Sequence, residues 1–297
     1  MTASGPHRMG GNLDPRRNAF RPDLAAQSLA GVVNAPRYVE GEPATIARSA
    51  APLRKSPDPS RGFETEALFG EPLMVFDEAD GWAWVQLLRD GYVGYLPTEV
   101  LRRGVQRPTH RVHVLGTFVY SAPDIKSPPM LHLSMNALLT VRSGDENFLE
   151  LESGGFIYAR HATHIDRHAR DFVEIAERFA GTPYLWGGRT HIGLDCSGLV
   201  QTSLFAAGIT APRDTDMQQA ELGEPIPLRN DLDGLSRGDL VFWKGHVGIM
   251  IDGVLMVHAN GHHMLVVVEP LPEAADRIRK SSGDIVAAKR LPGLTLA

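Results

Sequence analysis

The alternation of hydrophobic and polar positions changes its period near residue 166. Before that point, from residue 44 onward, turn signals separate short β-type runs, and Asp-Gly dipeptides at Asp80 and Asp90 are typical of tight hairpins. Residues 82–88, between these turns, alternate with the period of two that a strand requires. No long helix fits this spacing, so the pattern predicts small barrels made of short strands.

Two segments of this region share one order of elements. Residues 44–104 and 105–164 each contain a strand, a Pro-containing excursion, a strand, a hairpin and a strand, and each ends in an aromatic-containing strand, GYVGYL or GGFIYA. This weak internal repeat predicts two tandem domains. Residues 1–43, rich in Ala, Pro, Arg and Gly, are predicted to form an arm that packs on the body, with disorder as the alternative.

The pattern over residues 165–297 predicts helices followed by an antiparallel sheet. Apolar positions recur at helical spacing from Phe172 to Phe179, and Asp195 is a suitable N-cap for a second helix. After Gly238 there are four β-type runs and a closing strand. The fold class of this third domain is therefore predicted to be α+β.

Composition excludes several classes of protein. The 297 residues include 30 Lys and Arg against 35 Asp and Glu, so no global basic field is present to hold nucleic acid or an anionic membrane. A single cysteine rules out a disulfide within the chain and a multi-cysteine metal site. The sequence contains neither an apolar run long enough to span a bilayer nor the apolar core of a secretory signal. We therefore expect a cytoplasmic protein, with removal of an export signal as the alternative.

The single cysteine, Cys196, lies in the segment DCSGLVQ at the first turn of the second predicted helix. Unpaired backbone N–H groups and the positive end of the helix dipole favour a thiolate at such a position. A small buried hydrophobic residue is the commoner fate of a lone cysteine, and position alone leaves both interpretations open.

Two histidines, His246 and His258, flank a predicted hairpin with an Asp-Gly tip. A three-residue turn that pairs Met250 with Val254 would place the two histidines opposite each other on one face, whereas a one-residue slip would separate them. We expect the odd-length turn or an equivalent bulge. Gly248 would then leave room above the sheet for a substrate or for the cysteine helix. Two histidines on a half-exposed sheet are the alternative.

Cys196, His246 and His258 are, in chain order, a nucleophile, a base and a residue that orients the base. In this interpretation His246 accepts the proton of the thiol, and His258 forms a hydrogen bond with the other ring nitrogen of His246.

The order of the motifs around these residues resembles the NlpC/P60 cysteine peptidases. The motif Asp195-Cys196-Ser197-Gly198 follows Pro183-Tyr184-x-Trp186-Gly187-Gly188 and precedes Arg237-Gly238-Asp239-Leu240 and His246-Val247-Gly248-Ile249. The resemblance covers the chain from Asp166 onward, and residues 1–165 resemble the tandem bacterial SH3 (SH3b) domains that precede the catalytic domain in one branch. It implies a papain-like domain of helices packed on an antiparallel sheet, two SH3-like β-barrels before it, and neither cofactor nor metal.

That branch resembles the γ-D-glutamyl-L-diamino acid endopeptidases of the dipeptidyl-peptidase VI type. The resemblance implies hydrolysis of the γ-D-Glu–diamino acid bond in peptidoglycan stem peptides with a free N-terminal L-Ala. The product would be L-Ala-γ-D-Glu, and the process would be murein recycling in the cytoplasm. The diamino acid, meso-diaminopimelate or L-Lys, stays open, as does the oligomeric state.

The resemblance also implies roles for residues around the cysteine. Cys196 is the expected nucleophile, His246 the general base and His258 the third polar residue. Tyr184 is expected to stabilise the oxyanion together with the backbone N–H of Cys196.

Further residues are expected to bind the substrate. Asp195 and Ser197 would hold the free α-amine, since a carboxylate is the natural partner of an ammonium ion. The segment Arg213-Asp214-Thr215 matches a loop that contacts D-Glu, with Thr in place of the expected Ser. Trp186 is expected to form a wall of the pocket, with core packing as the alternative.

The first barrel is expected to contribute a tyrosine and an acidic residue to the amine pocket. Tyr92 and Glu66 are the matches, and Tyr95 and Glu71 are near rivals. A core position for Tyr92 and a solvated rim for Glu66 are the plain structural alternatives.

Three other functions stay open. One is a non-catalytic protein that binds peptidoglycan, and another is a thiol acyltransferase or amidase on the same fold. The third is a metal site made of Cys196, His258, His262 and His263, which is disfavoured because adjacent strand residues point to opposite faces.

Overall fold

The computed structural model of the protein describes residues 13–228 and 232–292, so the first twelve residues of the predicted arm lie outside the described residues. The strands of the arm are β1 (Phe20–Arg21), β2 (Leu24–Ala26) and β3 (Tyr38–Val39). They form a small sheet in the order β1-β2-β3, in which β2 and β3 run parallel. Leu24 and two alanines of the arm pack against Trp84 of the following unit, so the arm lies on the body.

Residues 42–103 form the first β unit. Its strands are β4 (Glu42–Ile46), β5 (Ala50–Leu53), β6 (Thr65–Leu68), β7 (Pro72–Ala79), β8 (Trp82–Leu87), β9 (Val93–Pro97) and β10 (Leu101–Arg103). Five of them form an antiparallel sheet in the order β10-β4-β7-β8-β9, and β5 pairs with β6. The turn between β7 and β8 has positive φ at Asp80 and Gly81, which is the hairpin conformation that an Asp-Gly pair predicts.

Residues 110–164 form the second β unit. Its strands are β11 (His110–Val112), β12 (Gly116–Tyr120), β13 (Pro129–Ser134), β14 (Leu138–Leu139), β15 (Val141–Gly144), β16 (Phe148–Leu151), β17 (Phe156–Tyr158) and β18 (Ala162–His164). They form two sheets, in the orders β14-β11-β18 and β13-β12-β17-β16-β15. Phe69 of the first unit packs into the core of the second with Val119 and Ile157. The two β units therefore share buried surface.

The third unit contains helices and a six-stranded antiparallel sheet. Its elements are α1 (Phe172–Arg178), β19 (Arg189–Thr190), β20 (Gly193–Leu194), α2 (Cys196–Ala206), α3 (Thr215–Glu221), β21 (Glu224–Ile226), β22 (Leu240–Trp243), β23 (His246–Met250), β24 (Leu255–Asn260), β25 (Leu265–Pro270), α4 (Leu271–Ser282) and β26 (Ala287–Arg290). The sheet order is β21-β26-β22-β23-β24-β25. The sequence patterns predict α1, α2 and the four strands that follow Gly238, whereas α3 and α4 were not expected.

Helices cover both faces of this sheet because successive apolar side chains along its strands point to opposite faces. Val247 and Ile249 of β23 face the core that includes α1 and α2. Met250 and Met256 face a second core, to which α4 contributes Leu271. Within the described ranges, no helix combines the length and the apolar character that crossing a bilayer requires.

Helix α2 is buried on every side, although the sequence predicts a single apolar stripe. Its polar residues face the two β units instead of solvent. The side chain of Gln201 donates to Asp90 Oδ2 at 2.9 Å, and Asn136 Nδ2 donates to the carbonyl of Thr202 at 2.9 Å. The helix that begins with the cysteine is therefore the element on which all three units converge.

A buried ion cluster joins the first unit to the third. Glu71, fully buried, accepts a hydrogen bond from Arg189 Nη2 at 3.0 Å and lies 3.2 Å from Arg89 Nε. Burial raises the pKa of the Glu71 carboxyl, but the two guanidinium groups outweigh burial and lower it. The carboxylate is therefore charged and fully committed to this interface.

Gly70 provides a test of how tightly the two β units are joined. It has φ +75°, and a Cβ there would lie 2.1 Å from the carbonyl oxygen of Leu138 in the second unit. Gly81 has φ +79° with nothing within 4 Å of a Cβ, so it is a matched control. We expect Gly81→Ala to cost about 1–2 kcal/mol from left-handed strain alone. Gly70→Ala should cost at least about 2 kcal/mol more, because overpacking adds to that strain.

Thermal and urea unfolding of both variants measure this difference. Equal losses of stability would show that the two β units separate easily and that the contact at Gly70 does not hold them together.

Candidate active site

Asp195 determines where helix α2 begins. Its backbone is extended, and its Oδ1 accepts a hydrogen bond from the backbone N–H of Gly198 at 2.7 Å. Its Oδ2 accepts from the backbone N–H of Gly187 at 2.8 Å. The two bonds fix the turn before the helix, and Cys196 becomes the first helical residue.

A buried guanidinium holds this cap. The two Nη atoms of Arg213 donate to the two carboxylate oxygens of Asp195 at 2.7 and 3.0 Å, and Nη1 also donates to Ser197 Oγ at 2.8 Å. Nε donates to Thr65 Oγ1 in β6 at 2.8 Å, which ties the pair to the first β unit. Asp195 and Ser197, expected to bind an amine, both line the cleft beside the thiol, but the protein itself already engages their side chains.

The thiol of Cys196 is neutral in this environment. Burial, followed by the neighbouring charge of Asp195, raises its pKa to about 11. Hydrogen bonds with the backbone N–H of Val247, the hydroxyl of Thr215 and the backbone N–H of Ser197 act in the opposite direction but are weaker. Desolvation thus outweighs the helix dipole at this position, so the helix start alone does not favour a thiolate here.

The histidine hairpin has the predicted odd-length turn, but the turn is centred on Gly253 instead of Asp252. Met250 therefore pairs with Met256 rather than with Val254, and the predicted pairing is wrong. Because the pairing partner moves by two residues, every side chain stays on its predicted face of the sheet. His246 and His258 consequently remain on one face as diagonal neighbours, with His246 Nε2 2.7 Å from His258 Nδ1.

The space above Gly248 is filled, contrary to the expectation of an opening for substrate. A Cβ at Gly248 would lie 2.2 Å from Met256 Sδ. The missing side chain therefore allows Met256 to pack in the core beneath α4. Helix α2 lies on the other face of the sheet and approaches β23 where the amide of Val247 meets the sulfur.

The histidine pair extends to a carboxylate that the sequence analysis missed. His258 Nε2 lies 2.6 Å from Glu269 Oε1, and both Nη atoms of Arg277 donate to Glu269 at 2.6 and 2.5 Å. Burial raises the pKa of Glu269, but the hydrogen bonds from His258 and Arg277 outweigh burial and lower it to about 2. Glu269 is therefore ionised at neutral pH.

The ionised Glu269 determines which ring nitrogens of His258 and His246 carry a proton. A carboxylate can only accept, so neutral His258 carries its proton on Nε2 and has a lone pair on Nδ1. His246 then donates from Nε2, which leaves the lone pair on its own Nδ1. Burial, and then the neighbouring His258, lower the pKa of His246 to about 3, so this imidazole is a neutral base.

A cleft of about 350 Å³ opens beside the thiol. It contains seven of the residues that the sequence analysis selected: Tyr184, Trp186, Asp195, Cys196, Ser197, Asp214 and Thr215. Gly245, which precedes His246, also lines it. The structure thus brings the cysteine, the candidate oxyanion residue and the candidate loop residues to one surface.

Tyr184 and Thr215 lie near the sulfur, and Trp186 lies farther out in the cleft. Burial, with the nearby Cys196 and Asp195, raises the pKa of Tyr184, so its phenol keeps a proton to donate. Thr215 Oγ1 lies 3.9 Å from Cys196 Sγ. Trp186 is 65% exposed and therefore lies at the wall of the cleft rather than in the core.

The first β unit reaches the cleft through Tyr92 and Glu64. Tyr92 belongs to the core of that unit, and its hydroxyl also donates to Asp214 Oδ2 at 3.1 Å. Glu66 accepts a hydrogen bond from the backbone N–H of Arg189 at 2.9 Å, whereas Glu64 lines the cleft. Glu66 therefore lies away from the cleft, contrary to the expectation, because its carboxylate binds the backbone of the third unit, and Glu64 is the acidic residue of the first β unit at the cleft.

The rival residues lie elsewhere. The hydroxyl of Tyr95 accepts a hydrogen bond from Arg21 at 3.3 Å, and Glu71 belongs to the buried ion cluster described above. In the part of the chain that the structure describes, no group of three or more His, Cys, Asp or Glu side chains is arranged to hold a metal ion.

The sequence analysis missed three residues that shape the site: Arg16, Glu64 and Glu269. A charged residue that ends the apolar run LVVV was a usable signal for Glu269. Arg16 carries no such signal, because its partners Asp214 and Asp216 lie far away in the sequence.

Comparison with known proteins places this geometry in a family. A family model described as NlpC/P60 family matches residues 181–276, and one described as bacterial dipeptidyl-peptidase Sh3 domain matches residues 53–101. A probable endopeptidase NlpC homolog of Haemophilus influenzae is 31% identical over 155 residues, which are 50% of this chain and 79% of that protein. The chain belongs to the NlpC/P60 family. It is accordingly a cysteine peptidase with an SH3-like N-terminal domain.

Two further similarities cover more of this NlpC/P60 peptidase. The gamma-D-glutamyl-L-lysine dipeptidyl-peptidase of Bacillus subtilis is 28% identical over 219 residues, 66% of this chain and 72% of that protein. The crystal structure of an NlpC/P60 family protein from Bacillus cereus matches with a TM-score of 0.71 at 24% identity, covering 84% of this chain and 99% of that one. The second similarity concerns the fold alone.

The neutral thiol predicts a steep pH dependence of alkylation. Cys196 is the single cysteine, so iodoacetamide reports on this thiol alone. With its pKa raised to about 11, the thiolate fraction should rise about tenfold per pH unit from about pH 6 to about pH 9. The urea-unfolded protein, with an ordinary thiol, should level off above about pH 8.5. A rate that is constant across this range would instead reveal a preformed thiolate–imidazolium pair.

The proton assignment predicts that Glu269→Gln reduces turnover. An amide can donate as well as accept, so the two histidines lose their fixed tautomers. We expect kcat to fall roughly 10²-fold, less than the about 10⁴-fold loss for the Asp→Asn change in Ser-His-Asp triads, with KM unchanged. Glu273→Gln, the same chemical change at an exposed site on α4, is the control. Equal kcat values for the two variants would contradict the assignment.

Proposed function

We propose that this peptidase hydrolyses the γ-D-Glu–diamino acid bond of peptidoglycan stem peptides that carry a free N-terminal L-Ala. The observation that carries the proposal is the cleft beside the thiol, whose lining has an excess of carboxylates: Glu64, Asp195, Asp214 and Asp216 against Arg16 and Arg213. Carboxylates in a partly enclosed cleft attract an ammonium group, which a free α-amine supplies. The Bacillus subtilis relative is named for cleavage between γ-D-glutamate and L-lysine, which agrees with this chemistry.

We also propose a finer division of the chain. Residues 1–43 form the arm, residues 44–104 and 105–164 form two SH3b domains, and residues 165–297 form a papain-like catalytic domain. The sheets of the two β units and the packing of α2 on an antiparallel sheet support this division.

The first half of the reaction transfers the acyl group to the enzyme. The Cys196 sulfur forms a bond with the γ-carbonyl carbon of D-Glu while its proton passes to Nδ1 of His246. The carbonyl oxygen becomes an oxyanion and accepts hydrogen bonds from the Tyr184 hydroxyl and the backbone N–H of Cys196. When the intermediate collapses, the carbon–nitrogen bond breaks and the His246 proton goes to the amine of the diamino acid.

The second half releases the acyl group to water. His246 accepts a proton from water as the hydroxyl oxygen bonds to the thioester carbon. Collapse of this intermediate breaks the carbon–sulfur bond, and the sulfur regains its proton from His246. The product is L-Ala-γ-D-Glu.

The form of the cleft favours short, free peptides over intact wall. The first β unit contributes Glu64 and, through Asp214, Tyr92 to one end of the cleft. We infer that this end of the cleft binds the substrate amine. We therefore propose a role in the recycling of released murein peptides, and the cytoplasmic location stays a prediction.

Mass spectrometry of the products tests the proposal. The substrates are L-Ala-γ-D-Glu-meso-diaminopimelate, its L-Lys counterpart and the N-acetylated twin of each. We expect L-Ala-γ-D-Glu and a free diamino acid from at least one unblocked peptide, with far slower cleavage of its twin. Cys196→Ala should lower the rate by at least about 10⁴-fold, since no other group can form the acyl intermediate.

Two outcomes would contradict this assignment. Intact unblocked peptides after long incubation would favour a binding protein without activity. Products joined to an added amine, with little free L-Ala-γ-D-Glu, would instead indicate an acyltransferase.

A further inference from the structure

Arg16 of the N-terminal arm extends into the cleft. Neither family model matches this segment, since the first begins at residue 53. The Arg16 guanidinium donates to Asp14, Asp214 and Asp216 at distances of 2.7 to 2.8 Å, and the side chain lines the cleft beside Asp214. The arm therefore contributes a residue to the surface where the substrate is proposed to bind.

The turn that presents Arg16 is rigid. The backbone N–H of Arg17 donates to the carbonyl of Asp14 at 3.1 Å, with Pro15 inside the turn. Asp14 Oδ1 also accepts from the backbone N–H of Arg16 at 2.8 Å. The carbonyl of Arg16 accepts from the backbone N–H of Val93 in β9 at 2.8 Å, so both sides of the turn are anchored.

A second cavity lies behind Arg16. It has a volume of about 250 Å³ and aromatic walls that include Trp84, Tyr92 and Tyr95. Arg16 and Glu64 line both this cavity and the catalytic cleft, so together they separate the two spaces. Loss of the Arg16 side chain would join the cavity to the cleft.

We propose that Arg16 is the specificity-determining partition that ends the cleft at a free amine and excludes peptides with an acylated N-terminus. This inference rests on the proposed function, because that function places the substrate amine at the acidic end of the cleft. An ammonium group would pair with Glu64 on the near side of the partition, beside Asp214, whose Oδ2 already accepts from Arg16 and Tyr92. An acyl group on the same nitrogen would extend into the space behind Arg16, and it removes the positive charge that the carboxylates attract.

The experiment compares kcat/KM for an unblocked stem tripeptide and its N-acetylated twin. In Arg16→Ala the preference for the free amine should fall at least tenfold, chiefly because the blocked peptide gains rate. Arg16→Lys, which retains the charge on a narrower side chain, should show an intermediate preference.

Arg17→Ala is the matched control. Arg17 is adjacent in the chain and also pairs with α3, through Glu221, but it lines neither cavity. It should keep the wild-type preference. If Arg17→Ala and Arg16→Ala lose the preference equally, docking of the arm rather than the partition is responsible, and the inference is wrong.

Other outcomes separate this inference from the proposed function. Wild-type protein that cleaves neither peptide overturns the proposed function itself. Wild-type protein that cleaves both peptides equally leaves the peptidase assignment intact and overturns the partition. A preference in Arg16→Ala and Arg16→Lys that equals the wild-type preference also overturns the partition alone.

Discussion

The ion pair between Asp195 and Arg213 is the interaction on which the rest of the site depends. Both groups are buried, so each would be unstable without the other. The guanidinium donates to both carboxylate oxygens in a bidentate pair, and it also donates to the hydroxyls of Ser197 and Thr65. The pair of Asp195 and Arg213 thereby fixes the start of helix α2, the position of the nucleophile and the contact with the first β unit.

The same carboxylate has an electrostatic cost for the nucleophile. Its charge adds to burial in raising the pKa of Cys196, so the helix start does not produce a thiolate by itself. The hydrogen-bonded chain of His246, His258 and Glu269 holds the neutral imidazole of His246 in a defined tautomer.

Three parts of the chain line the cleft. The catalytic unit supplies the sulfur, the first β unit supplies Glu64 and the arm supplies Arg16. Helix α2 is buried on all sides because the two β units and the rest of the third unit surround it. The walls of the cleft thus come from distant parts of the chain.

Local signals in the sequence were sufficient for the helix that begins after Asp195, the Asp-Gly hairpins and the common face of His246 and His258. Each depends on residues close together in the chain, where capping, turn conformation and parity act over a few positions. His246 and His258 share a face although the predicted register of their hairpin is wrong, because an error of two residues leaves each side chain on its face.

The tertiary structure alone decided the pairing of Arg213 with Asp195, the choice of Glu64 over Glu66, and the entry of Arg16 into the cleft. It also decided the protonation state of Cys196, because desolvation depends on everything packed around the sulfur. Burial and long-range pairing are properties of the assembled chain, and no local pattern of residues encodes them.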